Sequence, residues 1–278
     1  MVQKPRHVFL AGVSEGALIT TLAVEQHPEI FSGGLALCGP IGDFSRQINY
    51  MGDFRIVFDY FFPDLLPPTP INIPPELMKN WYSVYVPKIT QAINSNTDAT
   101  NQLLNVTRAP IDPDNWTTRE QTALAILWYN VFGTNVGTTL GGQPFDNSLP
   151  RLYFGSNNDL LLNFGVERFQ ADPAALNEIQ AHYQTSGKLR RPLVTMHTTR
   201  DPVVPFWHEE LYLAKVISKG SLLNFFTFPV FRYGHSNFTV NELQEGFAIL
   251  VKMVGEQDWR RKARNAAAIN LLLLDGLQ

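Results

Sequence analysis

His7-Val8-Phe9-Leu10-Ala11-Gly12-Val13-Ser14-Glu15-Gly16-Ala17-Leu18-Ile19-Thr20-Thr21-Leu22-Ala23-Val24-Glu25-Gln26 stands almost at the start of the chain. Its first five residues are an apolar run that reads as a strand, and Ala17 to Gln26 read as a helix. Between them lies Gly12-Val13-Ser14-Glu15-Gly16. Strand, G-x-S-x-G turn and helix together are the setting in which this pattern means a nucleophilic serine. A serine hydroxyl is a weak nucleophile until a base takes its proton, and the sharp turn lifts the side chain clear of the sheet, where base and substrate reach it. Gly12 and Gly16 suit a turn that leaves little room for side chains. The backbone N–H of Glu15, at the helix N-terminus, points to where an oxyanion would form. The plainer reading of the same residues is a Gly/Ser turn that caps a helix.

A base and an acid that orients it are expected later in the chain. Pro192-Leu193-Val194-Thr195-Met196-His197-Thr198 reads as a buried strand, and Thr199 to Pro205 as the loop that places Asp201 just past its end. A helix is expected over 206–217, then a strand over Leu222 to Pro229. The following loop, Arg232-Tyr233-Gly234-His235-Ser236-Asn237, carries His235. In a parallel sheet all three loops open on one edge. His235 would take the Ser14 proton, and Asp201 would hold its imidazole in the right tautomer. Among the other histidines, His7 precedes its strand, His27 and His182 belong to helix ends or surfaces, His197 reads as a core residue and His208 as a rim residue. Asp43, after a second strand at Phe31 to Pro40, is the rival acid, but the spacing from Asp201 to His235 matches common connection lengths. Asp159 reads as a loop or cap residue. Glu15 reads equally as a charge beside the site or as a first-turn acid that suits the helix dipole.

Gly12-Val13-Ser14-Glu15-Gly16, Asp201-Pro202-Val203-Val204-Pro205 and Gly234-His235, in that order, resemble the nucleophile, acid and histidine elements of the α/β-hydrolases. The resemblance covers residues 7–39 and 190–255 and is closest to bacterial serine esterases and prolyl-oligopeptidase-like catalytic domains. It implies an α/β fold with a mainly parallel sheet and a Ser14–His235–Asp201 triad. Such proteins carry about four strands before the nucleophile and a His-Gly type loop for the oxyanion. Six residues precede the first strand here, and the chain has no His-Gly dipeptide. The expectation is therefore a truncated α/β-hydrolase, or a short one that fills the missing parts from its insertion or a partner. The bare edge of the strand at 7–12 is expected to be covered by the chain's own tail or by a second copy, as a homo-oligomer.

The strand–helix alternation is interrupted from residue 40 to 188. That stretch holds helical patterns and Pro-rich breaks at Pro67-Pro68-Thr69-Pro70 and Pro74-Pro75, and it reads as a helical lid between the core segments 1–39 and 189–278. Asp172-Pro173 opens a helix expected to end near Gly187. The lid's aromatics, with Phe58, Phe61, Phe62, Trp81 and Trp128 singled out, are candidates for lining an apolar acyl pocket; the alternative for any one of them is ordinary lid core. The tail from Trp259 holds an Ala/Leu-rich helix.

The 278 residues allow one substantial core. A net charge of −3 and a pI near 6.1 give no electrostatic case for nucleic acid. The single cysteine, Cys38, reads as a buried thiol. No Cys/His cluster has ligand spacing, so no metal or other cofactor is implied. No signal peptide or membrane span is visible, and apolar stretches such as Ile269 to Leu274 are far too short to cross a bilayer. Localisation stays open: cytoplasmic as the chain stands, secreted if a leader has been lost. Three functions fit: a serine hydrolase of carboxylic esters of small to medium acyl or aryl groups, a peptidase or acyl-aminoacyl hydrolase with the same triad, or an inactive module that binds a partner.

Overall fold

The computed structural model describes residues 5–67, 70–133 and 136–275. Four parallel strands form one sheet: β1 (Phe9–Val13), β2 (Gly33–Leu37), β3 (Leu193–Arg200) and β4 (Phe225–Tyr233), in the order β1-β2-β3-β4. β2 and most of β3 are buried, as suits central strands of a covered parallel sheet. Side chains alternate between the faces. Leu35, Leu37, Val194 and Met196 meet Leu250 and Val254 of α11 (Val240–Asp275). Ala36, Leu193 and Phe225 meet Ala17 and Val24 of α1 (Glu15–Gln26) and Tyr212 and Val216 of α10 (Trp207–Ser218). The result is a three-layer helix–sheet–helix core.

Several boundaries differ from the sequence expectation. Leu222–Asn224 is a short 3-10 turn, and the last strand begins at Phe225 and runs through Arg232 and Tyr233. Pro229 sits inside it without conflict, because β4 is an edge strand. The tail helix is continuous with α11, which starts at Val240. Among the described residues β1 pairs only with β2. α11 covers its face, through Phe9 against Phe247 at 5.4 Å between ring centroids, and leaves its outer edge unpaired.

Among the described residues, eight helices lie between β2 and β3: α2 (Phe44–Phe61), α3 (Pro75–Lys79), α4 (Val86–Ser95), α5 (Thr97–Thr107), α6 (Thr117–Phe132), α7 (Val136–Leu140), α8 (Asp159–Gly165) and α9 (Pro173–His182). A one-turn π-helix, Trp81–Tyr85, joins α3 to α4. Phe54, Phe58, Trp81, Ile89, Leu103 and Ile126 are buried in a core of these helices' own. α9 stops at His182, five residues short of Gly187, because the chain then turns back to the sheet. Glu25 of α1 holds that return, accepting from Ser186 N at 2.7 Å, Gly187 N at 2.7 Å and Tyr212 Oη at 2.9 Å.

The outgoing and returning ends of this stretch lie side by side: Thr185 Oγ1 donates to Ile41 O at 2.6 Å. His208 fastens the outgoing end. It is fully buried rather than on a rim. Its Nδ1 accepts from Gly42 N at 3.0 Å, and its Nε2 lies 2.8 Å from Gln47 Oε1. That pattern needs a neutral ring with the proton on Nε2, and burial pushes its pKa well below 6.5.

Two outcomes test this framework. A Cβ built on Gly12 would collide with the Gly16 carbonyl and approach Thr20 Oγ1 to 2.6 Å, whereas one on Gly16 meets nothing within 4 Å. Only the first glycine of the motif is thus sterically required by the described residues. Gly12→Ala is expected to cost about 1–3 kcal/mol in denaturant unfolding, and Gly16→Ala less than about 0.5 kcal/mol. The second outcome concerns pH. His208 resists protonation when folded and accepts it freely when unfolded, so stability present above pH 6.5 is lost as pH falls below it. Its share of the slope is at most about 1.4 kcal/mol per pH unit; unfolding curves of the wild type and His208→Gln, compared across that range, should show the slope diminished in the variant.

Candidate active site

Parallel strands deliver their C-terminal ends to one edge, and the sequence uses that edge three times. Ser14 follows β1, with φ 56° and ψ −123°, a conformation outside the usual regions for a residue with a Cβ. Its own N–H is fixed by Leu37 O of the neighbouring strand at 2.8 Å. Glu15 is the first residue of α1, so its N–H has no intrahelical acceptor. Asp201 follows β3 and is completely buried. His235 lies two residues past β4.

Asp201 and His235 are in direct contact: His235 Nδ1 donates to Asp201 Oδ2 at 2.7 Å. Oδ1 of the same carboxylate accepts from Val203 N at 2.9 Å and Val204 N at 3.0 Å. Nδ1 of His235 is thereby committed as a donor, which leaves Nε2 as the basic nitrogen of the neutral ring. Ser14 shares the edge with this pair, but its Oγ makes no hydrogen bond among the described residues.

Neighbouring side chains hold the two loops. Thr198 Oγ1 donates to Gly234 O at 2.6 Å and lies 3.6 Å from Cys38 Sγ, so the end of β3 is tied to the histidine loop. Burial, then the nearby Asp201 charge, pushes the Cys38 thiol up to about 12, so it stays neutral. From the helical insertion, Tyr50 Oη donates to Pro202 O and Gln47 Nε2 to Val203 O, each at 2.8 Å. Tyr233 Oη lies 2.9 Å from Thr122 Oγ1 of α6. Gln47 and Tyr50 are one helical turn apart on α2, polar positions on a face that otherwise buries Phe54, Val57 and Phe58. That interruption of an apolar stripe is the sequence signal for them.

Ser14 opens into a cavity of about 700 Å³. Glu15 and Ser14 form its floor with Pro40, Val203 and Val204. Its walls come from the insertion: Phe44, Ile48, Met51, Ile71, Ile73, Tyr129 and Phe145, with polar positions at Asn130, Gln143 and Asp172. Among the described residues no Lys or Arg lines it. The aromatics singled out from sequence stand elsewhere. Phe58, Phe62 and Trp81 are buried in the helices' own core, with Phe61 and Trp128 packed against it, and Trp128 Nε1 donates to Tyr82 Oη at 3.1 Å. Aromatic density marked the helical core; the cavity wall mixes aliphatic side chains with Phe44, Tyr129 and Phe145. The rival acid Asp43 caps α2 through Arg46 N at 3.1 Å and binds Gln184. Asp159 accepts from Gly155 N and Ser156 N in its own loop.

Ligand atoms of Cys38, His197 and Asp201 lie within 4.8 Å of one another. They do not fit a metal: the thiol is neutral, both Asp201 oxygens are engaged, and His197 Nε2 lies 2.7 Å from Val204 O. Among the described residues no helix is long and apolar enough to cross a membrane.

No protein-family model and no curated protein matches the chain. Among solved structures it is similar to Pyrococcus horikoshii acylaminoacyl peptidase (10% identity, TM-score 0.33, 82% of this chain and 20% of that one). It is similar also to feruloyl esterase B from Aspergillus oryzae (14% identity, TM-score 0.40, 89% and 59%) and to Candida antarctica lipase A in its closed state (18% identity, TM-score 0.36, 90% and 49%). The chain thus spans between a fifth and three fifths of these structures' lengths. Four parallel strands with helices packed on both faces make this an α/β fold, and Ser14 after β1, Asp201 after β3 and His235 after β4 stand on one sheet edge in the order that the sequence resemblance implies.

Proposed function

We propose that the protein is a serine hydrolase that cleaves carboxylic esters of small to medium acyl or aryl groups through an acyl-enzyme. The observation that carries this reading is the bonded Asp201–His235 pair, on the same sheet edge as a strained serine at the mouth of an apolar cavity. Ser14 Oγ attacks the ester carbonyl carbon while His235 Nε2 takes its proton. Asp201 stabilises the imidazolium that forms. The Glu15 N–H, at the positive end of α1, donates to the oxyanion. The imidazolium then protonates the departing alkoxide, and water activated by His235 releases the acid. The Ser14–His235 hydrogen bond closes when substrate fills the cavity, as such bonds commonly tighten in the bound complex.

The cavity's chemistry supports the substrate class. A volume of about 700 Å³ is within the range of small-molecule sites. Apolar walls, with Glu15 and Asp172 as the charged groups among the lining residues, favour an uncharged acyl or aryl group over an anionic one. Lid residues 40–188 supply most of the wall, and the core segments 1–39 and 189–278 supply the chemistry.

Fluorophosphonate labelling at Ser14 tests the nucleophile: the wild type should label and Ser14→Ala should not, and a folded wild type that fails to label sinks the proposal. Asp201→Asn should lower kcat by about 10⁴-fold with its fold retained. A panel of p-nitrophenyl esters, from acetate to palmitate, run beside peptide anilides, should show turnover confined to the shorter uncharged esters; faster anilide cleavage would point to a peptidase. We further propose that a second copy covers the outer edge of β1. Light scattering should then report a dimer that Val8→Lys weakens, and a wild-type monomer would refute it.

A further inference from the structure

Beneath the acid lies a second histidine that the mechanism above does not use. His197 of β3 is completely buried, and both of its ring nitrogens face acceptors. Nε2 is 2.7 Å from the carbonyl oxygen of Val204, which only accepts. Nδ1 is 3.1 Å from Oε1 of Glu209, a residue of α10 that is itself 3% exposed. The other oxygen of Glu209 accepts from Thr195 Oγ1 at 2.6 Å and Thr227 Oγ1 at 3.1 Å, so that carboxylate is supplied with donors as an ionised group requires. A neutral imidazole has one donor and one acceptor nitrogen; only the doubly protonated ring satisfies both contacts with Glu209 ionised. On its third side, His197 Nε2 lies 3.6 Å from Asp201 Oδ2, the oxygen that also takes the His235 hydrogen bond.

We propose that His197 is a standing buried imidazolium, paired with Glu209, that serves as a positioning residue for Asp201; this role rests on the hydrolase reading. Two buried carboxylates without a cation between them would be costly. With His197 charged, Asp201, Glu209 and His197 together carry a single negative charge, and that charge is neutralised when His235 becomes an imidazolium. His197 also anchors Val204 O, and the Val204 N–H is one of the two that hold Asp201 Oδ1. The ring therefore fixes both the charge and the place of the acid. Burial disfavours the cation, but the hydrogen bond and charge of Glu209, with the charge of Asp201, outweigh it, and the net direction is up from 6.5. Burial keeps the titratable groups coupled to this cluster neutral: His208 on α10, Cys38 after β2, Tyr50 on α2, whose hydroxyl is occupied by Pro202 O, and Tyr212 on α10, whose hydroxyl donates to Glu25.

The test has two readouts. In 15N-labelled wild-type protein, the His197 ring should show two protonated nitrogens at neutral and mildly alkaline pH; a single-proton tautomer pattern overturns the proposal whether or not the protein is active. The second readout is the pH dependence of kcat/KM with the ester found to be turned over. His197→Gln removes the cation, and Glu209→Gln removes the partner that keeps it charged. The first leaves two buried carboxylates without a cation near His235, so the acid limb should move to higher pH by on the order of one unit; the second removes one negative charge together with the cation, so the limb should move in the same direction but less. Glu209→Asp, which keeps the carboxylate, should restore the wild-type limb. Limbs that stay in place in both Gln variants refute the positioning role, even if overall rates fall. A wild type with the imidazolium pattern but no turnover refutes the hydrolase reading and the positioning role with it, and leaves the charge assignment standing.

Discussion

The buried carboxylate of Asp201 is the point on which the sheet, the helical insertion and the histidine loop converge. A carboxylate removed from water is stable only if its oxygens are supplied with donors. Val203 and Val204 supply one oxygen and His235 the other. Satisfying this group forces the 201–205 turn to fold back on itself, fixes the ring of His235 and leaves its second nitrogen facing the edge. The strands bring the loops near one another; the demand of one carboxylate sets their relative geometry.

The insertion is part of this arrangement rather than an accessory to it. Tyr50 and Gln47 bond to the carbonyls of Pro202 and Val203, and Thr122 meets Tyr233 beside the histidine loop. The same helix, α2, contributes Phe44, Ile48 and Met51 to the cavity wall. A change in how α2 sits therefore alters both the shape of the cavity and the placing of the acid turn. Local opening of the insertion and loss of site geometry are one event in energetic terms.

Much of the core was legible because its signals are local. Five apolar residues, a glycine–serine turn and a helical period define β1, Ser14 and α1, and the order of Asp201 and His235 followed from strand and loop spacing. What could not be read depends on partners distant in sequence. The burial of His208 is decided by Gly42 and Gln47, more than 160 residues away. Phe58, Phe62 and Trp81 carry no mark that says whether they face a cavity or a helical core. Leu222–Asn224 has the composition of a strand but forms a turn before β4, whose pairing with β3 begins at Phe225. Gly16 shows the converse, since the motif suggests a steric need that the described surroundings do not impose.

Hydrogen bonds from Thr185 to Ile41 and from Gln184 to Asp43 bring the two ends of the insertion together, with Glu25 and His208 holding either side. A stretch of chain whose entry and exit coincide can lengthen, shorten or be replaced without moving the strands that flank it. The walls of the cavity and the loops at its floor are thus carried on separable parts of the sequence, joined by a few bonds from α2 and α6. Grafting a different insertion between Ile41 and Thr185 would change what fits above Ser14 while leaving the sheet intact. Only grafts that reproduce the contacts of Gln47 and Tyr50 would keep the acid turn in place, which makes those two side chains the compatibility rule for exchange.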